Sequence, residues 1–250
     1  MTQILRTEGL SKSWGGFAAN TNIYLSFAPG ERRALIGPNG AGKTTFINLL
    51  TGVLQPTSGD VFLGDERITG LAPHARVARG IVRTFQINTL FPGMTVLESV
   101  FMAVAERRRL GGVWYRAAAT EHEMRDEAMA LLERLGLHRD AGSTTRNLAY
   151  GRQRLLEIAL AMACKPSILL LDEPAAGIPT GESAELFEVL ERLPRDVTVV
   201  FIEHDMGLVF RFAERITVLV GGSVLVEGTP GEIAENPLVR QAYLGEVEHD

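Results

Sequence analysis

The stretch GPNGAGKT, residues 37–44, constrains this chain more than any other. Its glycines let the backbone curl so tightly that several N–H groups point inward. The apolar run RRALIG leads into it and KTTFINLLTG leads out, so the turn joins a buried strand to a helix that the spacing predicts to end at Gly52. G-x-x-x-x-G-K-[ST] between a strand and a helix is a phosphate cradle. Gly37, Asn39, Gly40, Ala41 and Gly42 line it, and the positive end of the helix adds to the backbone donors. Lys43 is expected to reach the β- and γ-phosphates, the Thr44 hydroxyl to ligate Mg²⁺, and Thr45 to add a phosphate contact. Lysine is otherwise found only at positions 12 and 165. Its use at 43 points to a compact charge on a flexible stem, where a guanidinium would be too bulky.

ILLLDE, residues 168–173, supplies a second half. Asp172 ends an apolar strand, where an unpaired carboxylate is costly; beside a phosphate cradle it has a partner in Mg²⁺. Glu173 is placed to polarise an attacking water as general base. His204 ends another buried strand, VVFIEH, and an imidazole there can contact the γ-phosphate and hold water and glutamate in place. His74, His122, His138 and His249 have no zinc-ligand spacing and receive no role.

At 250 residues and 46% hydrophobic composition the chain can bury a large core. A net charge of −5 argues against a general nucleic-acid binder. The single Cys164 rules out an intrachain disulfide and fits a reducing compartment as a small buried hydrophobe. MTQILRTEGL lacks the layout of a signal peptide and no apolar run approaches the ~20 residues of a membrane span, so a soluble, cytoplasmic chain is expected. NIYLSF, DVFLG and IVRTF read as strands, SAELFEVLERL as an amphipathic helix, and RITVLVGGSVLVEG as a hairpin with a Gly-Gly turn. Met124, Ala128, Leu131 and Leu135 recur at helical spacing. The expected organisation is one domain over 1–250: a catalytic core from 1–86 and 156–250, with a helical subdomain at 87–155. Alternating strands and helices predict a mainly parallel sheet with helices packed on it.

These motifs together resemble the nucleotide-binding subunits of ABC transporters, over essentially the whole chain. GPNGAGKTT resembles the family's phosphate loop, RTFQ its Q-loop, LAYGRQR its signature, ILLLDEP its Walker B strand, AAGIP its D-loop, and IEHD its switch-histidine segment. The resemblance implies an α/β P-loop NTPase with a mainly parallel core, an N-terminal antiparallel β part and an inserted α-helical subdomain. It implies that Trp14 stacks on adenine, that Gln86 touches Mg²⁺ or the attacking water and hinges the helical part, and that Gly151 contacts a partner's ATP in trans. FPGMTVLESV, LAYGRQRLLEIA, DEPAAG and NPLVRQAYLGE look most like the ATP-binding subunits of branched-chain (hydrophobic) amino acid importers; those of urea and short-chain amide importers have similar patterns. A non-transport ABC ATPase is the remoter alternative. The implied partners are a second ATPase subunit, self or paralogue, two membrane permeases and an external solute-binding protein, with the chain on the cytoplasmic face of the membrane.

Three departures stand out. The signature carries Ala149 and Tyr150 where the wider family has Ser and Gly. Arg152 replaces the usual Gln and is open to two readings, a charge near phosphate or a surface ion pair. Pro179 follows Ile178 where the D-loop usually has a polar residue, which puts the trans contact there in doubt.

Overall fold

The computed structural model describes residues 4–84, 90–108 and 118–244. In chain order, β1 (Leu5–Trp14) and β2 (Phe17–Phe27) form an antiparallel hairpin, and β3 (Arg32–Ile36) feeds the glycine turn and α1 (Lys43–Thr51). β4 (Ser58–Leu63), β5 (Glu66–Arg67), α2 (Pro73–Val77) and β6 (Ile81–Arg83) follow. Three helices come next: α3 (Val96–Arg107), α4 (Ala118–Arg134) and α5 (Tyr150–Ala163). Strands and helices then alternate through β7 (Ile168–Asp172), α6 (Thr180–Glu191), β8 (Thr198–Ile202), α7 (Met206–Phe212) and β9 (Arg215–Val220). β10 (Ser223–Gly228), α8 (Pro230–Glu235) and α9 (Pro237–Leu244) close the described chain.

The strands make two sheets. One is antiparallel, in the order β2-β1-β4-β5; the other runs β10-β9-β3-β8-β7-β6. In the second sheet every neighbouring pair is parallel except the hairpin β9–β10. β3 and β8 are buried at every position, as is β7 up to Leu171, which is why they read as continuous apolar runs rather than alternating ones. Their carboxyl ends lie side by side: Asp172 pairs in register with Ile202, and Leu35 does so from the other side. Ligands of open α/β sheets bind at such ends.

Helix α1 is packed between the sheets. Phe46, Ile47, Leu49 and Leu50 are buried in one cluster with Leu5, Leu10, Leu25, Phe27 and Val61 of the antiparallel sheet and Leu35, Leu170 and Ile202 of the parallel one. The helix ends at Gly52 (φ 76°), in the left-handed conformation that costs glycine nothing. Arg76, wholly buried, caps the last turn: its guanidinium donates to the carbonyls of Leu49 (2.7 Å), Leu50 (2.8 Å), Thr69 (2.7 Å) and Leu71 (3.2 Å). Burial lowers its pKa to about 10.

A second cluster joins the other face of the parallel sheet to the helices, and it includes Met124, Ala128 and Leu135, with Leu131 packed against it. α3 starts at a capping box: Thr95 Oγ1 accepts from Glu98 N–H, and Glu98 accepts from Thr95 N–H. α5 runs unbroken through residue 155, so the signature and the core share one helix. Cys164 is half-buried, and burial raises its thiol pKa. No helix among the described residues is long and apolar enough to cross a membrane.

Candidate functional site

The glycine turn owes its shape to close backbone approach. A Cβ at Gly42 (φ 94°) would lie 2.2 Å from the Ala19 carbonyl oxygen of β2, and one at Gly37 would lie 2.1 Å from that of Leu219 in β9. Asn20, buried on β2, donates to the Gly42 carbonyl (3.2 Å), and Gly222 N–H in the β9–β10 turn donates to that of Ala41 (3.2 Å). The cradle is therefore braced by both sheets. Asn39 and Gly40 lie exposed at its tip while Ala41 is buried. Lys43 is buried and donates to the carbonyls of Gly37 (2.5 Å) and Pro38 (2.9 Å). Thr44 is exposed and Thr45 half-buried on the first turn of α1. Trp14 stands at the tip of the β1–β2 hairpin, half exposed, with the Lys12 ammonium 5.4 Å from its ring centre.

Asp172 emerges beside the cradle at the end of β7. Its carboxylate pairs with Arg83 of β6 at 2.6 Å, and Arg83 also bonds the Asn48 side chain of α1. Burial raises the Asp172 pKa and Glu173 adds to the shift, while Arg83 and Lys43 oppose it. Glu173 follows with φ 50°, a left-handed backbone that costs a non-glycine residue about 1–3 kcal/mol and clusters at functional sites. Glu173 N–H bonds Ile202 O (3.1 Å), and His204 Nε2 lies 2.9 Å from Glu173 Oε1. The two residues expected to act together thus touch, although 31 positions separate them.

The signature lies on the first turn of α5. Ala149 is its N-cap with no side-chain cap bond, so the N–H groups of Tyr150, Gly151 and Arg152 have no acceptor within the helix. Tyr150 is packed against the D-loop: a Cβ at Gly177 (φ 77°) would lie 3.2 Å from its hydroxyl. That hydroxyl accepts from Arg154 (3.2 Å), whose other nitrogen pairs with buried Glu157 at 3.0 Å. Arg152 takes the surface reading, donating to Gly136 O (2.7 Å) and pairing with Asp140 at 3.7 Å. Pro179 is the N-cap of α6. Gln86 lies outside the described residues.

Three residues around this site are given no role by the motifs, although Arg83 lies in RTFQ and Glu203 in IEHD. Asn20 braces the cradle, Arg83 compensates Asp172, and Glu203, buried next to His204, accepts from the N–H groups of Ala175 (2.8 Å) and His204 (3.2 Å). For Arg83 and Glu203 the sequence signal is an ionisable side chain in or beside an apolar strand run, which demands a buried partner; Asn20, in the polar stretch ANTN, carries no such signal.

A cradle at the end of β3, an acid pair at the end of β7 two strands away, and a separate glycine-bearing helix start on the same chain form the ground plan of an ATP-binding cassette. The family model described as ABC transporter matches residues 20–176, more than half of the chain. A second model, described as branched-chain amino acid ATP-binding cassette transporter, matches residues 223–249. The chain belongs to the ABC transporter family, as an ATPase cassette. The high-affinity branched-chain amino acid transport ATP-binding protein LivG of Escherichia coli (strain K12) is 45% identical over 254 residues, 98% of each chain. The corresponding protein BraF of Pseudomonas aeruginosa is 42% identical over 253 residues, again 98% of each. The crystal structure of an ABC transporter cassette in its ADP conformation superposes with a TM-score of 0.85 at 30% identity, covering 98% of this chain and 100% of that one. A dimeric bacterial cassette gives 0.75 at 28% identity, covering 90% and 98%.

Proposed function

We propose that this chain is the ATP-hydrolysing subunit of an importer for branched-chain or other hydrophobic amino acids. For the chemistry, the carrying observation is the 2.9 Å contact between Glu173 and His204 beside the cradle. Full-length similarity to LivG and BraF supports the solute class.

The backbone of Gly37–Gly42 and the ammonium of Lys43 hold the β- and γ-phosphates, with Thr45 adding a donor and Trp14 stacking on adenine. Thr44 and Asp172 offer the hard oxygen donors that suit Mg²⁺, and the Lys43 charge already acts on Asp172. Mg²⁺ bound there would neutralise charge developing on the phosphate oxygens. Glu173 takes the proton of the attacking water as general base, and His204, bonded to the same carboxylate, fixes its direction. Gln86 reports the state of the γ-phosphate to the membrane subunits.

The cassette works as a head-to-tail pair, with self or a paralogue, in which Gly151 and its neighbouring amides cover the ATP held by the partner's cradle. Two integral-membrane permeases hold the pair at the cytoplasmic face of the membrane and receive solute from an external binding protein.

Glu173→Gln keeps the volume and loses the base. It is expected to bind ATP with wild-type affinity while turnover falls at least about 100-fold; near-normal phosphate release would refute the assignment. For the solute, deleting this chain should abolish uptake of labelled leucine and spare that of urea. The reverse pattern would move the assignment to the urea and short-chain amide importers.

A further inference from the structure

Glu203 has no place in the chemistry above, yet it is only 6% exposed and directly follows β8, whose last residue Ile202 is fully buried. A carboxylate in such a place is costly unless both oxygens are satisfied. Here one oxygen takes the Ala175 N–H (2.8 Å) and the other the His204 N–H (3.2 Å). Burial pushes its pKa up, as does Glu173, and the two N–H groups pull it back.

These bonds close a ring. Glu173 is bonded through its carboxylate to the His204 imidazole and through its backbone N–H to Ile202 O. His204 is bonded through its own N–H to Glu203, and Glu203 is bonded to Ala175, two residues beyond Glu173. The Glu173–Ala175 and Ile202–His204 segments are thereby tied at three points, and only one of them involves the reacting carboxylate. The same turn continues to Gly177, against which Tyr150 packs.

We propose that Glu203 is a positioning residue: its buried carboxylate fixes the turn after Glu173 to the backbone of His204, so that the general base and its imidazole partner shift together when the turn moves. The inference rests on the ATPase reading for its kinetic consequence, not for its structural one. Glutamine has a single acceptor oxygen and would face the second N–H with an NH₂ group, so one of the two ties must break.

The test compares Glu203→Gln with wild type in the full-length chain. ATP affinity and KM should be unchanged and kcat should fall about tenfold or more, since a misplacement of this order is felt by the reacting atoms alone. Amide hydrogen exchange of the ATP-free protein should speed up at both Ala175 and His204. If Glu203→Gln does not fold, Glu203→Asp, which keeps the charge and is one methylene too short to reach both donors, is read in the same way. Wild-type kcat, or unchanged exchange at the two amides, overturns the proposal. Retained turnover in Glu173→Gln would instead overturn the base assignment, and the exchange result would still decide the tie.

Discussion

An alanine at position 42 would drive its Cβ to 2.2 Å from Ala19 O and 2.6 Å from Asn20 Nδ2, with φ held at 94°. Neither neighbour is a free side-chain end: one is strand backbone, the other is bonded to Gly42 itself. Gly42→Ala is therefore expected to destabilise the nucleotide-free protein by about 2–4 kcal/mol, read as a lower urea midpoint with unchanged slope. Measuring without nucleotide separates this from a lost ligand contact. The sequence pattern made the cradle residues, the acid pair and His204 legible because each carries chemistry that its local context displays. It did not reveal Asn20, Arg83 or Glu203. Their reasons lie across the fold, on α1, β7 and the turn after Glu173, and no local spacing encodes those partners.

At the scale of elements, α5 holds a titratable oddity. Glu157 is buried on it, and burial raises its pKa to about 7 despite Arg154, which pulls the other way. A carboxyl whose pKa is 4.5 when unfolded and about 7 when folded takes up a proton on folding between those values. Its stabilising share is thus complete below pH 4.5 and is lost as pH rises through 7. Glu157→Gln should flatten the fall in thermal midpoint between pH 5 and pH 8; an unaltered slope would assign that fall to other groups. β3, β7 and β8, covered on both faces, are legible as continuous apolar runs, while the half-buried β2 and β4 and the β9–β10 hairpin are legible from alternation and flanking turn residues. β1 has no strand signature in the sequence because a bulge between Thr7 and Leu10 breaks its alternation at Gly9 (φ 60°). It is held by strands on both sides rather than by an apolar pattern of its own.

At the scale of the molecule, the proposed head-to-tail pairing sets the signature of one chain over the cradle of another. Gly151→Asp puts a negative charge in the first turn of α5, where the proposed trans contact would meet phosphate. It is expected to leave ATP binding to the single chain intact and to abolish ATP-dependent pairing in the Glu173→Gln background. A dimer peak with ATP in sedimentation velocity would count against the trans role. The 87–155 boundary could not be drawn cleanly from sequence because the helix that begins at the signature continues into the core, and one apolar cluster serves both.

That continuous helix has a mechanical consequence. Its 14 residues span about 21 Å at 1.5 Å per residue. At the far end, Arg107 straps the Ala163 carbonyl (2.8 Å) to Glu127 (2.9 Å); Arg107, Arg108 and Lys165 hold Glu127 at a pKa of about 2 against the opposing effect of burial. A tilt of about 5° at that fulcrum swings the signature amides by about 2 Å, most of the ~2.9 Å reach of an N–H···O bond. Arg107→Ala, remote from every phosphate, should therefore weaken ATP-dependent pairing severalfold while single-chain ATP affinity holds. Leverage along α5 thus ties the position of its first turn to the strap at its last.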